Sequence, residues 1–251
     1  MAIYGRDFAA IYNEAWAFWG SKMWPLLQRQ VQRRWPAVGR DVTWLDLCCG
    51  AGSLLEYVCA AGHSAVGLDA SAAQLRHARR NAPGARLVRG DVRELDLGRE
   101  FDVVTCLYDS LNYLTRKGDL LRVFRRVQRH LAPGGLFAFD VNTYEGLEDE
   151  WQSPGDQQNR AFTLRHPGYL LVLETRFDAR AELGTCLITG FLREGRRWRR
   201  FDERHVERGF HAAEVEAELE RAGLTFRKRD GNTLGRARKR SPRLLYVCER
   251  K

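Results

Sequence analysis

The chain has 251 residues, of which 44% are hydrophobic and 29% charged, and its formal net charge is +9 at pH 7. This length suits one α/β domain with an insertion and leaves too little chain for a second full domain. The sequence contains no apolar run long enough to span a bilayer, and its first residues lack the basic and then apolar pattern of a secretory signal, so we expect a cytoplasmic protein without a membrane partner.

Two helices are predicted at the start of the chain. Apolar residues recur at spacings of three and four over residues 7–19 and place an aromatic stripe on one face, and a second helix is predicted over residues 21–34. Spacing alone favours core packing for such a stripe over ligand binding.

The most informative stretch of the sequence comes next. Residues 42–47 form an apolar strand that contains Asp46, and a turn of small residues with Gly50 and Gly52 leads into a helical pattern. The glycines permit close backbone approach to a ligand, and Asp46 can accept hydrogen bonds from a cationic or hydroxylated group. Because Leu55 stands where a dinucleotide-binding fingerprint has its third glycine, a nicotinamide or flavin cofactor is disfavoured.

Two further strands end in a carboxylate. Residues 64–68 precede Asp69, and residues 87–90 precede Asp91. A carboxylate after the second strand is placed to bind the two hydroxyls of a ribose, whereas the alternatives are a helix cap for Asp69 and a turn aspartate for Asp91. A fourth strand over 101–107, a helix over 120–131 and a fifth strand over 136–141 complete a pattern that is typical of a doubly wound parallel sheet.

The alternation of strands and helices stops after residue 142. Three extended runs with alternating polarity, at 169–177, 185–192 and 197–206, predict an inserted antiparallel sheet. A helix over 210–222 and strands over 224–227 and 244–248 follow, and the segment 227–243 between these strands is dense in positive charge.

The basic residues leave one alternative open. Only five of the 41 basic residues are lysine, and such an arginine excess arises from genome composition as well as from selection for an anionic partner. A nucleic-acid partner therefore remains an alternative.

The six cysteines contain no C-x-x-C pair and mostly fall within apolar runs, which is typical of reduced core residues and predicts neither disulfides nor a metal site.

Two sequence motifs, one near the start of the predicted sheet and one leading into its fifth strand, resemble those of a known protein family. Residues 46–52 match a D-x-x-x-G-x-G loop, and residues 131–137 match an L-x-P-G-G-x-x segment. Together they resemble class I S-adenosylmethionine-dependent methyltransferases, and in architecture the small-molecule N-methyltransferases of the glycine and amino-sugar types. The resemblance implies an α/β fold with a Rossmann-like, doubly wound, seven-stranded and mostly parallel sheet. It also implies an N-terminal helical cap (1–35), a cofactor-binding core (36–142 and 206–251) and an inserted antiparallel β lid (143–205).

The same resemblance implies a cofactor and its binding residues. The cofactor is S-adenosyl-L-methionine, with S-adenosyl-L-homocysteine as product, and Asp69 would bind the ribose while Asp91 would bind the adenine amino group. Tyr12 lies in a segment similar to one in small-molecule N-methyltransferases whose tyrosine faces the methyl donor. The predicted cofactor-binding residues are Asp46, Cys48, Gly50, Gly52, Asp69, Ala70, Asp91, Val92, Leu107 and Tyr108.

Methyl transfer from a sulfonium depends on how the acceptor and the methyl group are positioned. It needs no nucleophile from the protein, because the cofactor supplies the leaving group. Aromatic faces near a sulfonium give Tyr12 and Tyr108 positioning roles. If the acceptor must lose a proton, His205 or Asp109 is the candidate base, and a structural role in the lid is the alternative for His205. Tyr12, Tyr108 and His205 are thus the predicted catalytic residues.

The sequence predicts a methyltransferase that acts on a small-molecule acceptor at nitrogen or oxygen, as a monomer or homodimer. Two alternatives stay open. One is an RNA or protein methyltransferase that uses the basic segment 227–243, and the other is a non-catalytic protein that binds S-adenosylmethionine.

Overall fold

The computed structural model describes residues 3–16, 18–36, 39, 41–151 and 160–250. Within these ranges the helices are α1 (Arg6–Ala15), α2 (Phe18–Arg34), α3 (Ser53–Ala60), α4 (Ala72–Asn81), α5 (Asp119–His130), α6 (Tyr144–Trp151) and α7 (Ala212–Arg221). The strands of the main sheet are β1 (Thr43–Leu47), β2 (Ser64–Asp69), β3 (Arg86–Arg89), β4 (Phe101–Cys106), β5 (Leu131–Asn142), β10 (Leu224–Asp230) and β11 (Arg243–Arg250). A second sheet contains β6 (Arg160–His166), β7 (Tyr169–Asp178), β8 (Leu183–Glu194) and β9 (Arg197–Arg208).

The main sheet has seven strands in the order β10-β11-β5-β4-β1-β2-β3. β11 runs antiparallel to both of its neighbours, β5 and β10, and the pairs among the other strands are parallel. Asp46 on β1 pairs with Gly67 on β2 and with Thr105 on β4, so the carboxyl ends of these three strands are level. The predicted seven-stranded, mostly parallel α/β fold is confirmed.

Helices cover both faces of this sheet. On one face α5 and α7 pack through residues such as Phe124 and Leu219 against Val104 and Phe137 of the strands. On the other face α2 and α3 pack around Trp44, which is fully buried. Strands buried on both faces explain why β1 and β4 are almost continuously apolar.

The second sheet is antiparallel, in the order β6-β7-β8-β9. One of its faces packs on α1, where Leu171 and Ile188 meet Phe8 and Ile11. The three predicted strands of this sheet are present, but β6 and α6 were not predicted. Among the described strands β6 pairs only with β7, and apart from the partly buried Leu164 its residues from 161 to 166 are exposed, so it has no buried apolar face.

The structure also corrects element boundaries near both ends of the chain. The helix predicted over 7–19 is interrupted, because α1 ends at Ala15 and Trp19 belongs to α2. The basic segment 227–243 is not one loop, since β10 continues to Asp230 and Arg243 begins β11. Among the described helices, none is both long enough and apolar enough to span a membrane.

Candidate functional site

A tight turn joins β1 to α3 at the carboxyl edge of the main sheet. Cys48 and Gly50 both have a φ of +53°, and Gly52, with a φ of +78°, directly precedes α3. A Cβ added at Gly50 would meet no atom within 4 Å, whereas a Cβ at Gly52 would lie 3.1 Å from Cβ of Ala78 on α4. Gly50 therefore borders open space, and Gly52 allows α4 to pack closely against the turn.

Asp69, the last residue of β2, fixes the backbone of this turn. Its Oδ2 accepts a hydrogen bond from Gly50 N at 2.8 Å, and its Oδ1 accepts one from Ser71 N at 2.7 Å. Burial raises the pKa of the carboxyl, and the two N–H donors oppose this shift. The cap of α4 is Ser71 rather than Asp69, because Ser71 Oγ accepts from Gln74 N at 3.2 Å. Asp69 thus retains acceptor sites toward the open space.

Asp46 is buried beneath the turn. Thr105 Oγ1 donates a hydrogen bond to Asp46 Oδ1 at 2.6 Å, and Trp44 Nε1 donates to the same hydroxyl at 3.1 Å. Burial raises the pKa of Asp46 to about 7, the negative charge of Asp69 acts in the same direction, and the Thr105 hydrogen bond opposes both. The charge of Asp46 therefore changes near neutral pH.

Asp91 follows β3 at the rim of the site. Both of its carboxyl oxygens bind the Arg93 guanidinium, with a shortest distance of 2.5 Å, and this pairing lowers the pKa of the carboxyl. Asp91 Oδ1 also accepts from Arg93 N, so it acts as a turn residue as well, which was the alternative interpretation of the sequence. The adjoining Val92 is buried and presents an apolar wall.

A buried ion-pair group shapes the chain after β4. Tyr108 and Asp109 both adopt left-handed backbone conformations, and Asp140 on β5 accepts their N–H groups at 2.6 and 3.1 Å. The Arg243 guanidinium pairs with Asp140 at 2.5 Å and with Asp109 at 3.0 Å, and it lies over the Tyr108 ring. These contacts fix the position of the Tyr108 ring.

Aromatic rings from the N-terminal helices cover the same edge of the sheet. The centroid of the Tyr12 ring is 6.1 Å from that of Tyr108 and 5.6 Å from that of Trp16. Trp19 of α2 stacks on Tyr108 at 4.9 Å. The site therefore has an aromatic roof and an acidic floor.

Polar contacts at both ends of α1 hold this roof in place. Glu203 on β9 accepts hydrogen bonds from Tyr4 N at 2.8 Å and from Gly5 N at 2.7 Å, just before α1 begins. Near the other end, Asn81 Nδ2 donates to Asn13 Oδ1 at 2.7 Å. The N-terminal helix is thus attached to the inserted sheet and to the core.

Two adjoining cavities lie between roof and floor. The larger has a volume of about 770 Å³, which is within the range of small-molecule sites. Among the predicted residues, the smaller cavity is lined by Tyr12, Asp46, Cys48, Gly50, Leu107 and Tyr108. The larger is lined by Tyr12, Cys48, Gly50, Asp69, Ala70, Asp91 and Val92. We call the two together the cleft; of the predicted cofactor residues, only Gly52 is not in its lining.

The structure does not bring His205 to the wall of the cleft. His205 is buried, with Nδ1 2.8 Å from the Tyr113 hydroxyl and Nε2 3.0 Å from Glu203 Oε2. Tyr113 lines the larger cavity and separates His205 from it. His205 therefore does not line the cleft, and its role as a base stays a prediction.

Five residues that shape the cleft were not predicted, namely Tyr4, Tyr113, Asp140, Glu203 and Arg243. One signal was available for Glu203, because Glu203, His205 and Glu207 occupy alternate positions on the buried face of β9. Polar residues at core-facing positions of a strand indicate a hydrogen-bonded network or a site. Within the described residues, no group of three or more His, Cys, Asp or Glu side chains is arranged to hold a metal ion.

Comparisons with known proteins agree with this geometry. A methyltransferase domain family matches residues 45–135. The chain is 31% identical over 195 residues to the dTDP-3-amino-3,4,6-trideoxy-alpha-D-glucopyranose N,N-dimethyltransferase of Streptomyces venezuelae, and the match covers 76% of this chain and 79% of that protein. It is 36% identical over 139 residues to the dTDP-4-amino-2,3,4,6-tetradeoxy-D-glucose N,N-dimethyltransferase of Saccharopolyspora spinosa, where it spans about half of each protein, 54% in both cases.

Solved structures show the same architecture over almost the whole chain. A crystal structure of an S-adenosylmethionine-dependent methyltransferase from Clostridium acetobutylicum ATCC 824 superimposes with a TM-score of 0.80 at 28% sequence identity. The superposition covers 97% of both chains. The likeness therefore includes the inserted sheet and the N-terminal helices as well as the core.

Proposed function

The chain belongs to the S-adenosylmethionine-dependent methyltransferases, and from this premise we propose that it N-methylates an amine of a small molecule, with an amino sugar carried by a nucleoside diphosphate as the acceptor class. The enzyme class and the cofactor predicted from the sequence are confirmed by the family. The roles of individual residues and the identity of the acceptor are the proposal.

The residues of the cleft fit the cofactor chemically. Asp69 has acceptor sites for the ribose hydroxyls, and Val92 offers an apolar contact to the adenine ring. Asp91 would accept from the adenine amino group only when Arg93 releases one of its oxygens. Ionised Asp46 favours a nearby ammonium, and the open space at Gly50 admits a ligand against the backbone. When bound, the cofactor supplies an electrophilic methyl group on a sulfonium. Tyr12 and Tyr108, whose rings line the smaller cavity, would offer aromatic faces to that sulfonium.

One observation carries the proposal of a small-molecule acceptor. The larger cavity is lined by Asp69 and Asp91, by Tyr4 and Tyr113, and by Val206 on β9 of the inserted sheet. A cofactor bound along the carboxylates leaves the tyrosine-lined end, under the inserted sheet, for a second molecule. Enclosing both reactants brings nucleophile and methyl together, which contributes on the order of 7–11 kcal/mol to rate enhancement.

Some of the basic residues that an RNA acceptor could contact are already paired. Arg200 binds Asp202, Arg240 binds Asp149, and Arg243 is largely buried with Asp109 and Asp140. Phosphate binding by these three arginines would have to break their pairs. If RNA were the acceptor, its binding would weaken steeply with added salt, and a flat salt response would remove this alternative.

The test is incubation of the protein with S-adenosylmethionine and dTDP-3-amino-3,4,6-trideoxy-alpha-D-glucopyranose, followed by mass spectrometry. We expect mono- and dimethylated sugar. The matched control is the same nucleotide sugar with a hydroxyl in place of the amine, which we expect to remain unmodified. Methylation of the hydroxyl analogue alone would overturn N-methylation. Tight cofactor binding without any product from a metabolite extract would favour the non-catalytic alternative.

A further inference from the structure

Four side chains form a continuous hydrogen-bonded row from the cleft into the protein interior. The Tyr4 and Tyr113 hydroxyls are 3.2 Å apart, the Tyr113 hydroxyl is 2.8 Å from His205 Nδ1, and His205 Nε2 is 3.0 Å from Glu203 Oε2. Tyr4 and Tyr113 line the larger cavity, whereas His205 and Glu203 are 3% and 8% exposed. We call these four residues the relay.

The partners of Glu203 set the direction of the hydrogen bonds. A carboxylate only accepts, and Glu203 already accepts from Tyr4 N and Gly5 N, so His205 Nε2 carries the proton that the carboxylate binds. In the neutral imidazole Nδ1 is then the acceptor, and Tyr113 donates to it. Tyr113 accepts in turn from Tyr4. The Tyr4 oxygen therefore keeps its lone pairs for a ligand in the cleft.

We propose that the relay removes the proton from the acceptor's ammonium group, with Tyr4 and Tyr113 as catalytic residues and His205 and Glu203 as positioning residues behind them. This inference rests on the amine acceptor proposed above. The ammonium N–H bond breaks as its proton goes to the Tyr4 oxygen, the Tyr4 proton passes to Tyr113, and the Tyr113 proton passes to His205 Nδ1. The result is a neutral amine and an imidazolium beside the Glu203 carboxylate, and the proton later leaves to solvent.

The groups around Tyr4 and Tyr113 favour a positively charged acceptor. They also keep both hydroxyls neutral, so that a proton can pass through them. Burial raises the pKa of both tyrosines well above its usual value, so each remains protonated and transfers a proton only as it receives one. The negative charge of Asp109 acts in the same direction on both tyrosines, and it also favours an ammonium at this end of the cleft. Tyr4 has a φ of +53°, a costly conformation for a bulky residue, which the Glu203 hydrogen bonds maintain.

The kinetic test compares Tyr113→Phe and Tyr4→Phe with Tyr57→Phe, a control on α3 whose ring stacks on Trp24. With the dTDP amino sugar named above, we expect each relay variant to lose about tenfold to a hundredfold in kcat at pH 7, since positioned proton transfer contributes on this scale. KM values for both substrates and the thermal midpoint should stay near wild type. The control should match wild type throughout.

The pH dependence separates proton transfer from a structural role. The loss should shrink as pH rises above the pKa of the acceptor amine, because the amine then arrives neutral. The titratable groups that face His205 are Tyr4, Tyr113, Cys186 on the adjacent strand β8, and Glu203 and Glu207 on its own strand. Apart from Tyr113 itself, wild type and Tyr113→Phe have the same titratable groups around His205. A loss of equal size at every pH would overturn the relay.

A second measurement does not depend on turnover. Nitrogen-15 NMR of labelled histidine should show His205 as the neutral tautomer protonated at Nε2, and Tyr113→Phe should shift its Nδ1 signal. A tautomer protonated at Nδ1 would overturn the relay whether or not the sugar is methylated. If wild-type protein leaves the sugar unmethylated while His205 has the expected tautomer, the acceptor class is wrong instead.

Discussion

The two ends of the cleft are held together by contacts of very different sequence separation. At the cofactor end, Asp69 binds Gly50 N and Ser71 N, which are 19 and 2 residues away. At the lid end, Glu203 binds Tyr4 N, which is 199 residues away. The contacts that Asp69 makes at the cofactor end therefore lie within two neighbouring strand-helix units, whereas the lid end forms only when the N-terminal helix docks on the inserted sheet. The two ends should consequently fail separately when contacts are removed.

The largest effect should follow from filling the open space at the cofactor end. Gly50→Arg places a long side chain in the cleft at a φ of +53°, and we expect a loss of S-adenosylmethionine affinity of at least about a hundredfold, equivalent to about 2.7 kcal/mol. Calorimetric titration measures it. Gly98→Arg is the matched control, because Gly98 also has positive φ and open space around it but lies outside the cleft lining. Equal affinity losses in both variants would mean that backbone strain, not the cleft, is responsible.

The next effect concerns the carboxylate that fixes the turn. Asp69→Ala removes two backbone hydrogen bonds and the acceptors for a ribose, and hydrogen bonds to charged groups contribute about 1.5–3 kcal/mol each. We expect the Kd for S-adenosylmethionine to rise by about thirtyfold. Asp41→Ala is the control, since Asp41 binds Ser64 N and Oγ at the opposite end of β2. Wild-type affinity in Asp69→Ala would remove Asp69 from the cofactor site.

A smaller effect should appear in the pH dependence of folding stability. Burial raises the pKa of Asp46 to about 7, above its value in the unfolded chain, so the folded state holds an extra proton below that pH. The free energy of unfolding should therefore fall as pH rises from 5 to 8, by roughly 2–3 kcal/mol from this group. Denaturant unfolding at both pH values measures it. In Asp46→Asn this part of the decrease should vanish, and an unchanged pH slope would contradict the assignment.

The smallest effect should be confined to the lid end. Arg199 on β9 pairs with Asp7 in the first turn of α1, and this pair is partly exposed. Exposed pairs contribute little to global stability, so Asp7→Asn should leave thermal unfolding and cofactor affinity nearly unchanged. Amide hydrogen exchange in residues 6–15 should nonetheless accelerate, because the helix undocks more often. Acceleration that extends into β1 or β2 would show that the two ends are coupled.

The difference in sequence separation between the two ends of the cleft also explains which site residues could be predicted from the sequence. The strands that precede Asp69 and Asp91 are short apolar runs, and their carboxyl ends must meet at one edge of a parallel sheet, so nearly all predicted cofactor residues line the cleft. Tyr4, Tyr113 and Glu203 carry no motif, because their relation depends on how α1, the segment after β4 and β9 dock in three dimensions. The polar alternation on β9 is the one local signal available for Glu203, and it does not reveal that Tyr113 stands between His205 and the cleft.

The position of β11 has a consequence for the synthesis of the protein. β11 inserts between β5 and β10, and its first residue, Arg243, pairs with Asp140 beneath Tyr108. Until the ribosome has released residues 243–250, the edge of β5 that pairs with β11 has no partner strand. Phe137 and Phe139 lie on this strand. Unpaired apolar edges attract other chains. Until residues 243–250 have been released, this edge of β5 is thus open to other chains, and Arg243 cannot yet pair with Asp140 beneath Tyr108.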